Sequence, residues 1–397
     1  MIGDNKISII EKALSYSMFI CVLFPYISIV HTGFDSQPYA IIFSLIYFLY
    51  VFSQKQKVIY SPAFIFLILY LVVAFLISVV EIYLLDTELL IVARALANYI
   101  SITLLPIALI ISLSRGINSK RLIILAIYTY LLAGVLQYFI SVDIFNFILD
   151  VRTTENRGVT SLAPEPTYYG VVCFLFNFIV ITSSDFKKNE KLFFSFLLLF
   201  QTVFLAKSSM VLLFYVIFIM SSFISIKYLY RGVALFFSTL SIIYIIYNLD
   251  YFDQTRIKSI LIFFLDKGFY AFAMDASMNE RLSHVFFSFY GFIDNSMFPG
   301  GYASFEKLLQ NKESISSGFF WYGGVSNKIM SYIGANIYET GFFSLLYFTA
   351  VYIMIPKDKL KISTFGFFIP LFACIPLGNP IAGLVITLLY LEGVKNV

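Results

Sequence analysis

Long apolar stretches alternate with short polar segments along this chain. A helix needs about 20 apolar residues to cross the hydrocarbon core of a bilayer, because each residue advances it by about 1.5 Å. The pattern therefore predicts an all-α polytopic membrane protein with about twelve transmembrane helices, in which residues 1–397 form a single transmembrane domain. The predicted spans lie at about 13–30, 38–52, 58–80, 89–113, 122–142, 166–182, 192–206, 209–226, 232–249, 341–355, 362–376 and 380–392.

The distribution of Lys and Arg predicts how these spans are oriented. Basic residues concentrate in alternate connections, and the short connections of the other set, at 31–37, 81–88, 206–208 and 376–379, contain only Lys207. Because basic loops stay in the cytoplasm, both termini are expected there. Only 13% of the residues are charged, about half the usual fraction in a soluble domain, and the net charge of +4 does not indicate nucleic-acid binding.

Two connections on the predicted periplasmic side are too long to be simple turns. They are residues 143–165 and residues 250–340, the second lying between spans 9 and 10. Loops of this length are usually functional. Apolar residues at helical spacing in 256–265 predict an amphipathic helix on the membrane surface. Ser277 and Glu280 match a capping box, which predicts that a second helix begins there.

The densest polar cluster lies just before the sixth span. Arg152 and Arg157 precede Glu165, which stands between Pro164 and Pro166. A residue before proline is extended, and proline suits the first turn of a helix, so Glu165 is expected at the outer mouth of this span. Its carboxylate can act as a general base or bind a substrate hydroxyl. Alternatively, it only complements the helix dipole.

Arginines on the predicted outer side form a second group of candidates. Arg157, Arg256 and Arg281 could converge on a diphosphate, whose oxygens a guanidinium binds as a fork. The alternative for each is a solvated loop charge or contact with lipid headgroups. The helix predicted at Ser277 would place Arg281 and His284 on one face.

Three further residues each allow two interpretations. His284 is a base near neutral pH or a structural residue of the interface. Arg94 lies inside an apolar stretch, so it either reaches outward to the headgroups or faces an internal cavity together with Asn98. Trp321, in the aromatic segment 319–322, either stacks on sugar rings or anchors the loop at the interface.

Three segments resemble the bacterial O-antigen polymerases of the Wzy type, which share a superfamily with O-antigen ligases. They are RGVTSLAPEPTYYG at 157–170, Arg281 followed by FPGGYASF at 298–305, and NIYETGFFSLL at 336–346. The family has an Arg-x-x-Gly stretch and Glu-Pro at a span entry, then an arginine and a Pro-x-x-Gly turn, then Glu-x-Gly before the next span.

One departure separates the chain from the ligases. Ligases and many relatives have a His-Asn pair shortly before the Glu-x-Gly. Here Asn327 lies twelve residues before Glu339 and follows Ser326, with no histidine. The departure favours polymerase over ligase and leaves the catalytic base open. A lipid-linked oligosaccharide flippase or other transporter is the alternative from a different class, although the chain lacks the symmetric halves of many transporters.

The resemblance implies a metal-independent glycosyltransferase without a cofactor, in a bacterial inner membrane and working at the periplasmic face. A glycan on undecaprenyl diphosphate would be transferred to another lipid-linked repeat unit. The implied partners are this lipid-linked oligosaccharide, membrane lipid and a chain-length regulator protein. The expected catalytic residues are Glu165, Arg157 and Arg281. The expected substrate-binding residues are Arg152, Arg256, His284, Tyr168, Arg94, Trp321 and Glu339.

Overall fold

The computed structural model describes residues 8–28, 36–54, 61–153, 157–223, 244, 248, 256–268, 270–322, 328–356, 368, 370–372 and 375–395. Every regular element within these residues is helical. The helices are α1 (Ile9–Leu23), α2 (Tyr39–Ser53), α3 (Pro62–Tyr83), α4 (Leu89–Ser114), α5 (Ser119–Phe139), α6 (Pro166–Thr182), α7 (Lys188–Phe200), α8 (Ser209–Phe223), α9 (Arg256–Lys267), α10 (Tyr270–Met274), α11 (Ala276–Asp294), α12 (Ser304–Gln310), α13 (Lys312–Ser316), α14 (Tyr332–Thr340), α15 (Ser344–Met354) and α16 (Pro380–Lys395).

The predicted all-helical class is confirmed, and the apolar helices are compatible with a membrane protein, whereas the number of spans and the topology stay predictions. Among the described residues, five helical segments are long and apolar enough to cross a membrane, and four further apolar helices are shorter. The five are Pro62–Tyr83, Leu89–Ser114, Ser119–Phe139, Lys188–Ala206 and Tyr332–Met354. The four are Tyr39–Ser53, Pro166–Thr182, Ser209–Phe218 and Pro380–Val394. The predicted spans at 232–249 and 362–376 lie largely outside the described residues.

Polar contacts gather at one end of the bundle. They involve the starts of α1, α5 and α7 and the ends of α2, α4, α6 and α16. Helices α1 and α2 therefore run in opposite directions, and α4, α5, α6 and α7 alternate in direction. The contacts pair Ser8 with Tyr50, Glu11 with Arg115, Lys120 with Glu190 and Ser184 with Glu392. The opposite end of these helices holds the starts of α4 and α6. The candidate residues lie at this end, which we call the site end.

Helix α6 is the most completely enclosed element of this bundle. Its residues from Tyr168 to Val180 are all buried, and it packs against α7, α8 and α16. A helix that is apolar on all sides can be covered all round by other helices. Pro166 occupies its first turn, and Glu165 is extended just before it, with φ −138° and ψ 152°, as the flanking prolines predict. The central helix therefore points its N-terminus, and Glu165 with it, toward the site end.

The Pro299-Gly300-Gly301 turn of the long loop docks onto the break between α14 and α15. The N–H groups of Gly300 and Gly301 donate to the carbonyls of Tyr338 and Glu339, at 2.8 and 3.3 Å. Two of the segments that carry the family resemblance are thus in direct contact.

A buried carboxylate holds the other side of this turn. Glu81, at the end of α3, accepts the Tyr302 N–H at 2.7 Å, and Gly301 has φ +81°. A Cβ at Gly301 would overlap the Glu81 carboxylate.

Replacing Gly301 with Ala is expected to destabilise the protein by about 2 kcal/mol, since it adds this overlap to the strain of a positive φ. The measurement is the apparent melting temperature in detergent. Gly318→Ala is the matched control, because Gly318 has φ +78° with open space around the added Cβ. Equal losses in the two variants would show that only backbone strain matters and would contradict the proposed packing of the turn on Glu81.

Candidate functional site

A cavity of about 490 Å³ lies at the site end of the bundle. It is lined by Ser36, Ile91, Arg94, Ala95, Asn98, Arg152, Arg157, Glu165, Tyr168, Ala276, Ser277, Glu280, Arg281, Tyr302, Tyr322, Lys328, Ile329, Met330, Ala335, Glu339, Pro376 and Leu377. Five basic and three acidic side chains therefore face one space, an excess of two positive charges when all are ionised. Seven of the ten site residues expected from the sequence are among them: Arg94, Arg152, Arg157, Glu165, Tyr168, Arg281 and Glu339.

The segment before Glu165 is buried between helices rather than lying on the surface. Residues 159–163 are all at most 5% exposed. The hydroxyl of Ser161 donates to the carbonyl of Tyr130 at 2.6 Å. Tyr130 lies nine residues before the end of α5, roughly 13 Å along the helix axis. The expected outer loop 143–165 thus dips into the bundle and carries Glu165 with it.

Two features of the neighbouring helices accept this segment. The side chain of Gln137 donates to Thr160 Oγ1 at 3.0 Å and accepts the N–H of Ser161. Helix α7 ends in a π-helical turn, Gln201–Ala206, and its Leu205 carbonyl accepts the Val159 N–H at 2.9 Å. These bonds satisfy the buried backbone, as they must in an apolar surrounding.

An ion pair within this loop sets the direction of the Glu165 carboxylate. Arg152 Nη1 lies 3.7 Å from Glu165 Oε1, and the Arg152 N–H donates to the Pro164 carbonyl at 2.7 Å. Both side chains face the cavity, and Arg157 lies on its rim with an exposed side chain. The loop therefore presents two guanidinium groups and one carboxylate to the same space.

Helix α11 brings Arg281 to the opposite wall. The expected capping box at Ser277 is wrong: the helix begins at Ala276, and Asp275 is its cap, accepting the Met278 N–H at 2.9 Å. An ionised carboxylate is the stronger acceptor for this role. Ser277 is thereby free to hold Arg281, whose guanidinium donates to its hydroxyl and, at 3.0 Å, to its carbonyl.

The polar face of α11 is turned inward and packs on α14. Arg281, His284 and Ser288 are buried on it, as the predicted helix periodicity requires. The apolar side chains Leu282 and Phe286 are exposed on the other face. Arg281 itself is only 8% exposed, so its charge acts in a surrounding poor in water.

Glu339 forms the inner part of the cavity. It lies in α14, and the hydroxyl of Tyr99 donates to its Oε2 at 2.7 Å. Tyr99 is fully buried in α4, and Arg94, one turn earlier in that helix, also lines the cavity. Of the two interpretations of Arg94, the structure favours the internal cavity, and Asn98 lines it as well.

The bend at Pro376–Pro380 closes this part of the cavity. The Gly378 carbonyl accepts the hydroxyl of Ser101, at the middle of α4, at 3.2 Å. A Cβ on Gly378 would overlap the Asn98 amide, so the bend needs glycine to approach α4 this closely. The segment before α16 is therefore placed beside the middle of a long helix rather than beside its end.

Two expected site residues with described side chains do not line the cavity. Trp321 is 54% exposed, and its indole N–H donates to the Ala273 carbonyl at 3.1 Å. His284 is 2% exposed, and its Nδ1 accepts the Met330 N–H at 3.2 Å. Arg256 begins α9, and the expectation for its side chain lies outside what the structure describes, as do those for Ser326 and Asn327.

His284 predicts a pH dependence of stability. Burial, and then the charges of Arg281 and Lys312, lower the pKa of His284 to about 4. The unfolded chain binds a proton near pH 6.5, so protonation favours unfolding. Stability is therefore expected to be full above about pH 6.5 and to fall by up to about 3 kcal/mol as the pH decreases toward 4.

The comparison between wild type and His284→Gln isolates this contribution. The wild-type apparent melting temperature should fall more steeply between pH 6.5 and 4 than that of the variant. Parallel curves for the two proteins would contradict a buried, neutral His284.

Tyr322, from the aromatic segment 319–322, lines the cavity although Trp321 does not. Three titratable residues of the lining had not been expected as site residues from the sequence: Glu280, Tyr302 and Lys328. Glu280 had been interpreted only as part of a helix cap. Burial raises its pKa, and the Glu165 carboxylate adds to this, while Arg281 and Lys312 oppose it. Tyr302 directly follows the glycine turn, a local signal that could have marked it. Nothing near Lys328 in the sequence distinguishes it from a solvated loop lysine.

No protein-family model matches the chain, and a search of curated proteins finds none that is significantly similar.

Proposed function

We propose that the chain is a surface-polysaccharide polymerase of the O-antigen type. It transfers a glycan from undecaprenyl diphosphate to the non-reducing end of another lipid-linked repeat unit at the periplasmic face of the inner membrane. The observation that carries the proposal is the meeting of five basic and three acidic side chains in one cavity of a membrane protein. Ionisable groups at such sites are costly to bury and usually functional.

The charge of the cavity suits a diphosphate. Five basic side chains outnumber three carboxyl groups in the lining, and burial disfavours the ionised form of one of these, Glu280. The cavity therefore carries net positive charge, and a diphosphate that links a sugar to a polyprenol is negatively charged. Arg157 and Arg281 reach the cavity from two different elements, the buried loop and α11. Guanidinium groups bind phosphate oxygens in a fork and stay charged, so they can stabilise a leaving diphosphate.

The carboxylates suit the acceptor side of the reaction. The acceptor hydroxyl oxygen bonds to the anomeric carbon of the donor sugar, and the bond from that carbon to the diphosphate oxygen breaks. The bonding electrons leave with the diphosphate, where Arg157 and Arg281 balance the charge. The hydroxyl proton passes to the Glu165 carboxylate as general base. Tyr168, Tyr302 and Tyr322 supply rings and hydroxyl groups for the sugars.

Deletion of the gene tests the proposal in the cell. A polymerase deletion is expected to leave lipopolysaccharide capped with a single repeat unit, because ligation still proceeds. Loss of all O-antigen from the lipid core would indicate a ligase instead. Repeat units trapped on the cytoplasmic leaflet would indicate a flippase. Either of these last results would contradict the proposal.

A further inference from the structure

A second, smaller cavity adjoins the first, and Arg157 and Ser277 line both. It measures about 20 Å³, which excludes a sugar ring and leaves room for one compact group. Its lining is Arg157, Gly158, Pro166, Thr167, Ala206, Lys207, Ser208, Ser209, Met210, Ser277 and Met278. This lining contains two basic residues and no acidic one.

Three helices begin at this small cavity. Its lining includes residues from the first turns of α6, α8 and α11. The first N–H groups of a helix have no partner within the helix, and its dipole favours negative charge at this end. Asp275 already caps α11, so the starts of α6 and α8 are the ones that remain to attract an anion. Such helix starts are common phosphate sites.

Ser208 supplies an observation independent of the helix starts. It is 6% exposed, and its Oγ lies buried without a hydrogen-bond partner among the described residues. A buried hydroxyl without a partner costs free energy, so a ligand oxygen in the cavity would restore what is missing. Ser208 stands just before α8, and its carbonyl already accepts the Leu212 N–H.

Lys207 is the second unusual feature. It closes the π-helical turn in a left-handed conformation, with φ 46° and ψ 38°, where glycine or asparagine is the usual residue. It is also the only basic residue in the short connections of the predicted outer side. Lys207 therefore brings a positive charge to the lining of this cavity from a backbone conformation that does not favour lysine.

We propose that Arg157, Lys207 and Ser208 form a phosphate subsite beside the main cavity. Its ligand chemistry is a phosphate group, and Arg157 joins it to the cavity that holds the sugar. A diphosphate can therefore extend across both cavities, with the polyprenyl phosphate at Lys207 and the sugar phosphate at Arg281. This last assignment rests on the proposed function, whereas the phosphate subsite does not.

A binding measurement on the full chain in neutral phosphatidylcholine nanodiscs tests the subsite. The probes are undecaprenyl diphosphate and, separately, inorganic phosphate. Lys207→Asn removes the charge and keeps a residue that tolerates the left-handed backbone. It should weaken binding of undecaprenyl diphosphate about tenfold, as expected for one charged contact. Lys307→Asn, at an exposed position in α12, is the matched control and should bind as the wild type does.

Ser208→Ala is the second variant, in case Lys207→Asn does not fold. It removes a hydroxyl that has no partner in the described part of the chain, so the melting temperature without ligand should be kept or raised while binding weakens about threefold. Unchanged binding in the folded variants would overturn the subsite. If inorganic phosphate binds as tightly as undecaprenyl diphosphate and this binding depends on Lys207, the subsite is supported but its assignment to the lipid is overturned. These assays measure binding and involve no sugar transfer. They therefore test the phosphate subsite even if the chain proves not to be a polymerase.

Discussion

Replacing Arg281 with Ala is expected to reduce glycan polymerisation by about 100-fold or more, with the protein still folded and inserted. The guanidinium is held by the hydroxyl and carbonyl of Ser277, one turn earlier in α11, and is only 8% exposed. A charge fixed in advance in a dry cavity acts most strongly where charge develops during the reaction, at the departing diphosphate. The measurement is the distribution of glycan lengths, with protein amounts matched.

Two further variants separate the role of Arg281 from general effects of removing an arginine. Arg281→Lys keeps the charge and loses the fork, so it should recover only part of the activity. Arg121→Ala makes the same change at an exposed position at the other end of the bundle and should polymerise normally. Full-length glycan produced by Arg281→Ala at normal expression would contradict a role for Arg281 in the reaction.

Replacing Glu165 with Gln is the change with the second largest expected effect, a decrease in turnover of about 100-fold or more. Gln has the same shape and cannot take the acceptor proton. The extended backbone before Pro166 still directs the side chain toward the cavity in the variant, so substrate binding should change little. The measurement is kcat and KM for polymerisation with a lipid-linked repeat unit.

The other cavity carboxylates provide the comparison for Glu165. Glu280→Gln should have a smaller effect, because Arg281 and Glu165 remain in place beside it. Glu313→Gln, at an exposed position in α13, should have none. Retained activity in Glu165→Gln together with lost activity in Glu339→Gln would contradict Glu165 as the base and would assign that role to Glu339.

Hydropathy was sufficient to predict the helices, and the rarity of charge made the candidate residues visible. Most of the predicted apolar stretches that fall within the described residues correspond to a helix, because each is long and few alternatives bury so much apolar surface. In a chain with 13% charged residues, each charge near a span is conspicuous. Arg94 was found in this way, and it lines the cavity together with Glu339, which the family resemblance had indicated.

The depth of the loops could not be predicted from the sequence. Residues 159–163 have the composition of an outer loop, and their burial depends on Gln137 and on carbonyls of Tyr130 and Leu205 that are distant in sequence. The same holds for Lys328, which reaches the cavity only because the long loop folds back over the bundle. Hydrogen bonds between polar residues that are far apart in the sequence leave no periodic pattern from which they could be predicted.

The most direct test of the proposed function uses the purified chain in nanodiscs with undecaprenyl-diphosphate-linked repeat units as the only substrate. We expect a ladder of longer lipid-linked glycans and the release of one undecaprenyl diphosphate for each new glycosidic bond. Both should be lost in Arg281→Ala. Repeat units that stay single, with no undecaprenyl diphosphate released by an active preparation, would contradict the proposed function.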